Sequence, residues 1–119
     1  MKKILIVEDN DSNLYLMKFI LEKNSYEVIE ARNGIQGIDL AARDKPDFII
    51  MDIQLPDITG LEATRRIRAS ASGNNVPIIA VTSYAMSGDR EKALSAGCTG
   101  YIEKPINPET FLLELRKYM

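Results

Sequence analysis

Three stretches of this chain, Ile4–Val7, Phe48–Met51 and Ile78–Val81, are apolar without interruption. A strand with one wet face alternates polar and apolar residues, so unbroken runs this short belong to strands covered on both faces. A fourth run, Tyr26–Glu30, does alternate and reads as an edge strand, and Cys98–Ile102 is a weaker fifth. Between the runs the apolar spacing changes to the helical one. Leu14, Met17, Ile20 and Leu21 make one stripe, and Ile35, Ile38 and Ala42 a second. Leu61, Thr64 and Ile67 make a third, and Phe111, Leu112 and Leu115 the last. The intervening helix, from about Met86 to Ala96, is poor in large apolar residues. Asp11 or Ser12 is the expected cap of the first helix, and Pro108 suits the first turn of the last.

Strands alternating with helices imply a parallel sheet covered on both sides. Right-handed crossovers leave few topologies. The edge character of the second run selects the strand order 2-1-3-4-5, a single doubly wound α/β domain over residues 1–119 with no internal repeat. Ala69–Asn75 is the clearest loop, and Gly34, Gly60 and Gly97 mark turns or helix ends.

Composition excludes several functions. With 15 basic and 17 acidic residues the net charge is −2, which gives no basic field for nucleic acid. One cysteine allows no internal disulfide and points to a reducing, cytoplasmic setting, where Cys98 packs as a small hydrophobe. The apolar run after Lys3 is too short for a signal peptide, and no stretch is long enough to span a bilayer. The chain contains no histidine. That removes Ser-His-Asp and Cys-His catalysis, histidine-bound zinc, and a phosphohistidine of its own.

The remaining chemistry sits at the strand ends. Ligands of open α/β sheets bind beyond the carboxyl ends of the strands, where the order reverses. Strand one ends in Glu8-Asp9 and its neighbour, strand three, in Asp52. Crowded carboxylates take up protons unless a cation is present, and Mg²⁺ prefers such oxygens while keeping several waters. Asp52 can then serve as a nucleophile toward a phosphoryl group. Strand four ends in Thr82-Ser83, hydroxyls suited to an anionic oxygen, and strand five is followed by Lys104-Pro105. A lysine there supplies a positive charge, and a cis Lys104–Pro105 bond would aim it. Each residue taken alone has a plainer reading as a helix cap, a solvated lysine or a packed aromatic. Their placement at successive sheet positions favours the site.

These residues resemble the receiver (response-regulator) family of two-component systems along the whole chain. The likeness is carried by Lys3–Asn10, by Asp47–Gly60, by Pro77–Ser83 and by Gly100–Pro105. Within the family it is nearest to stand-alone DivK-like receivers and to receivers of hybrid kinases. The resemblance implies a flavodoxin-like (βα)5 fold with Asp52 as phosphoacceptor. It implies Mg²⁺, with Mn²⁺ as a substitute, held by Glu8, Asp9, Asp52 and the backbone carbonyl of Gln54. Thr82, Ser83 and Lys104 would contact the phosphoryl oxygens, and Tyr101 would change rotamer as Thr82 shifts. The donor would be a histidine kinase or a histidine phosphotransfer protein, docking near Asp11, Leu14, Tyr15 and Ile106. Output would pass to a protein partner through the face made by strand four, helix four, strand five and helix five, with no role for nucleic acid or membrane.

Three alternatives are weighed. A haloacid-dehalogenase-type phosphatase would carry a second aspartate two residues after its nucleophile, where Gln54 stands. A binding-only pseudo-receiver would lack part of the acidic and lysine set. A nucleotide- or flavin-binding domain would need a glycine-rich loop after strand one, and there is none. The chain is therefore expected to be a signalling phosphoacceptor rather than an enzyme with turnover.

Overall fold

The computed structural model describes residues 2–70, 73, 75–83 and 88–119. Five parallel strands lie in the order β2-β1-β3-β4-β5, the order expected from the apolar pattern. They are β1 (Lys3–Val7), β2 (Glu27–Ala31), β3 (Phe48–Asp52), β4 (Ile78–Thr82) and β5 (Gly100–Glu103). The helices are α1 (Asp11–Lys23), α2 (Gly34–Asp44), α3 (Gly60–Ala69), α4 (Asp89–Ala96) and α5 (Phe111–Arg116).

The unbroken apolar runs are buried on both faces because each strand feeds two cores. Ile4, Ile6, Phe48, Ile50, Ile79 and Val81 pack with Leu14, Met17, Phe111 and Leu115 of α1 and α5. The alternate residues Leu5, Val7, Ile49, Met51, Ile78 and Ala80 pack with Leu40, Ala63, Ile67 and Ala93 of the other three helices. A one-residue slip of any central strand would exchange the two sets.

Local hydrogen bonds shift several element boundaries from the sequence expectation. The Tyr26 amide still donates to Leu21 O at the end of α1, so β2 begins at Glu27. Likewise the Cys98 amide donates to Ala93 O in α4, and β5 begins only at Gly100. The cap of α1 is Asn10, not Asp11 or Ser12: its backbone is extended and its Oδ1 accepts from the Asn13 amide at 2.9 Å. Asp11 instead occupies the first turn, where a carboxylate suits the helix dipole. Pro108 lies ahead of α5, in a turn whose Thr110 and Phe111 amides donate to Asn107 O. Met86, expected in the fourth helix, lies outside the described residues, as do Ala71, Ser72 and Asn74 of the expected loop.

The core face of α2 also differs. Gly34, Gly37, Leu40 and Ala41 are buried, whereas Ile35 is 45% exposed and Ala42 is exposed. Gly37 explains the difference. A Cβ there would stand 2.8 Å from Val7 Cγ2, so the helix approaches the sheet along a glycine face that hydrophobicity does not mark. The first, third and last stripes fall on buried faces, and sparse α4 buries Ala93 and Ala96. Cys98 is buried beside Thr64, its thiol pKa raised by that burial.

Candidate functional site: an acidic crevice at the strand ends

Adjacent strands β1 and β3 deliver their carboxylates to one point. Asp52 closes β3 and is 4% exposed, Glu8 follows β1 and is fully buried, and Asp9 beside it is exposed. One oxygen from each of the three lies within 4.8 Å of the others. The Glu8 amide donates to Ala31 O at 2.9 Å, extending the β1–β2 ladder by one residue and holding the turn in place.

Lys104 enters from β5. Its amide donates to Thr82 O at 2.7 Å, and the Lys104–Pro105 bond is cis, as anticipated. The ammonium lies 2.8 Å from Glu8 Oε1 and 3.4 Å from Asp52 Oδ1. The closer contact is ionic without the direction of a hydrogen bond, so Glu8 Oε1 is buried with no directed donor among the described residues. The Gln54 amide donates to Asp52 Oδ1 at 3.2 Å, while the Gln54 side chain is exposed. Thr82 closes β4 and is buried, and Ser83 after it is exposed.

Burial first, and then the Glu8 carboxylate beside it, push the Asp52 carboxyl up to about 7, against the pull of Lys104 and the Gln54 amide. Burial is the larger cause and crowding by Glu8 the second, and a cation in the crevice would oppose both. The donor set fits a hard divalent ion: three clustered carboxylates, one with a buried oxygen that lacks a directed donor among the described residues.

Tyr101 in β5 is half-buried, and its hydroxyl is buried without a hydrogen-bond partner among the described residues. Burial raises its pKa, helped by Asp89 and Glu103. A small cavity of about 140 Å³ beside the crevice is lined by Ile53, Gln54, Leu61, Thr82, Asp89 and Lys92. A mostly apolar one of about 280 Å³, lined in part by Ile38, Pro46, Ile67 and Val76, contains none of the expected site residues.

Of the residues expected on the docking rim, Asp11 and Tyr15 are exposed, but Leu14 and Ile106 are buried in the core. Leu14 faces inward because it belongs to the same α1 stripe as Met17 and Leu21. Sequence reasoning missed the Arg32–Asp11 ion pair on the rim and the Asp57 contact to α2. A conspicuous signal existed only for Asp57, an acidic residue in a loop otherwise free of charge between Asp52 and Gly60.

Fold and crevice together define a doubly wound α/β domain with a cation-type acidic site at its topological switch point. Residues 4–116 match the response regulator receiver domain, and the chain belongs to that family. It is 42% identical over 118 residues to the polar-differentiation response regulator DivK of Brucella anthropi, covering 99% of this chain and 96% of that one. Among solved structures it is similar to the receiver domain of a Pseudomonas aeruginosa sensor histidine kinase, which has a magnesium ion coordinated in its active-site cleft (40% identity, TM-score 0.90, 98% and 96% of the two chains). It is also similar to the chemotaxis protein CheY4 of Vibrio cholerae (30% identity, TM-score 0.95, 100% and 99%). No helix among the described residues is long and apolar enough to cross a membrane.

Proposed function

We propose that this receiver accepts a phosphoryl group on Asp52 from a phosphohistidine of another protein and signals through Thr82 and Tyr101. The observation that carries the reading is the convergence of Asp52, Glu8, Asp9 and Lys104 at one point. Glu8, Asp9, Asp52 and the Gln54 backbone carbonyl would hold Mg²⁺, or Mn²⁺ in its place. When bound, the ion supplies charge neutralisation for an incoming phosphoryl group.

This chain's own groups do the rest. An Asp52 oxygen attacks phosphorus, the P–N bond to the donor histidine breaks, and a P–O bond forms, leaving an aspartyl phosphate. Lys104 moves from its place between Glu8 and Asp52 toward the new phosphoryl oxygens, and Thr82 donates its hydroxyl to one of them, with Ser83 at the mouth. Displacement of Thr82 along β4 frees room for Tyr101, whose hydroxyl has no hydrogen-bond partner among the described residues to hold the ring in its present rotamer. The β4–α4–β5–α5 face then carries the change to a protein partner. The donor docks over the rim where Asp11 and Tyr15 are exposed, and Tyr15 stacks on Phe19 at 6.4 Å along α1. Residues 1–119 act as one such unit, in the cytoplasm, without nucleic acid or membrane.

The test uses Mg²⁺ with beryllofluoride, a phosphoryl mimic, followed by amide chemical shifts. Large shifts at Asp52, Thr82, Tyr101 and Lys104, absent in Asp52→Asn, are expected. Shifts confined to the loop around Gln54 would refute the switch.

A further inference from the structure

Besides the Ile53 amide bond to Val81 O of β4 at 3.1 Å and the Thr59 cap of α3, the loop from Ile53 to Thr59 is stapled in three further places. At its start the Gln54 amide donates to Asp52 Oδ1 at 3.2 Å, and at its end the Gly60 amide donates to Ile53 O at 2.8 Å. The third staple reaches across to α2. Asp57 Oδ1 accepts from the Gly34 amide at 2.8 Å, and Oδ2 from the Ile35 amide at 2.9 Å.

Those two amides open α2 and have no acceptor within their own helix. The helix already has a cap, since Asn33 Oδ1 accepts from the Gln36 amide at 2.8 Å. The Asp57 contact is therefore additional, and what it adds is a fixed distance between loop and helix. Gly34 makes that distance possible: a Cβ there would stand 2.4 Å from Ile58 Cγ1 and 3.3 Å from Asp57 Oδ1. At its next turn the same helix seats Gly37 on Val7, the residue before Glu8. Helix α2 thus rests on the strand that carries Glu8 and Asp9, and grips the loop that carries Gln54.

We propose that Asp57 is a positioning residue for the cation site, fixing the Gln54 loop relative to the Glu8-Asp9 turn through α2. The inference rests on the phosphoacceptor reading of the crevice. The Ile35 and Gly34 amides, the former foremost, hold the Asp57 carboxyl at about 2, so the staple is charged throughout any practical pH range.

The test titrates Mg²⁺ alone, without phosphodonor, and follows the Asp52 and Gln54 amide shifts in wild type, Asp57→Ala, Asp57→Asn and Asn33→Ala. Asn33→Ala removes the helix's own cap and controls for loss of α2 stability. Its Mg²⁺ Kd is expected to stay within about twofold of wild type while its melting temperature falls. Both Asp57 variants should weaken Mg²⁺ by about tenfold, the low end for residues that hold metal ligands in place. The Gly34 and Ile35 amides should lose exchange protection at the same time. Should Asp57→Ala fail to fold, Asp57→Asn decides, since it keeps one acceptor and turns the other into a donor facing an N–H. A wild-type Kd in the Asp57 variants, or an equal loss in Asn33→Ala, would overturn the proposal. Failure of the wild-type protein to bind Mg²⁺ would instead remove the cation site itself, and the inference with it.

Discussion

Lys104 Nζ lies 2.8 Å from Glu8 Oε1, and both side chains are shielded from water, 9% and 1% exposed. The lysine is thus held in the crevice by a partner other than Asp52, whose Oδ1 lies 3.4 Å away. A buried ion pair of this kind adds little net stability, but removing one member is costly because the other charge is left uncompensated.

Lys104→Met is expected to destabilise the fold by about 3 kcal/mol at pH 8. Lys104 lowers the Asp52 pKa, so its loss raises that pKa further and makes the penalty smaller in acid. Urea unfolding at pH 8 and pH 5.5 should show the larger loss at pH 8. Equal losses would mean that Lys104 does not compensate these carboxylates.

Asp52→Asn is expected to unfold at a higher temperature than wild type at pH 8 without Mg²⁺. The folded carboxyl lies near 7 against an ordinary 3.8, so the folded state binds more protons between those values. Stability from this group is complete below about 4 and is lost as pH rises through about 7. The variant should lack that decline and gain roughly 1 kcal/mol at pH 8, after discounting for solvent at the crevice mouth. Adding Mg²⁺ should stabilise wild type and leave the variant much less affected. Thermal melts from pH 4.5 to 8 check both.

Arg68 gives a prediction remote from the crevice. Its guanidinium donates to the carbonyls of Gly97, Gly73 and Val76 and to Thr99 Oγ1, joining the end of α3 to the end of α4 and the approaches to β4 and β5. Arg68→Ala should cost about 2 kcal/mol, and Arg68→Lys should recover little, because an ammonium cannot span the acceptors of a planar fork. Substantial recovery in chemical denaturation of Arg68→Lys would refute the clamp.

Gly60→Ala should be among the most damaging single-methyl changes in the molecule. The added Cβ would fall 2.1 Å from the Asp52 carbonyl oxygen, which is backbone and cannot swing aside. A drop of several degrees in melting temperature is expected, with weakened Mg²⁺ binding through displacement of the Asp52 peptide. A variant indistinguishable from wild type in both respects would contradict the close approach of α3 to β3.

Much of this was legible in the sequence for one physical reason: strands covered on both faces must be continuously apolar, and Ile4–Val7, Phe48–Met51 and Ile78–Val81 are. The edge position of β2 followed from its alternation. The placement of the candidate residues was legible because the strand ends of a switch point lie side by side, and Glu8, Asp9, Asp52, Thr82 and Lys104 stand there. What escaped depends on backbone approach rather than hydrophobicity. The face that α2 buries is set by Gly37 against Val7, and the reach of Asp57 to Gly34 and Ile35 spans more than twenty residues of sequence. The Lys104–Glu8 pair escaped for a different reason. Sequence placed both residues at the crevice, but only coordinates show which carboxylate the lysine prefers.

Intact mass after incubation with a small-molecule phosphodonor, with and without Mg²⁺, tests the central claim most directly. One added phosphoryl group is expected on wild type with Mg²⁺, none without it, and none on Asp52→Asn in either condition. An unmodified wild-type mass with Mg²⁺ on folded protein, under quenching fast enough to trap a short-lived adduct, would contradict it. So would an adduct that persists in Asp52→Asn.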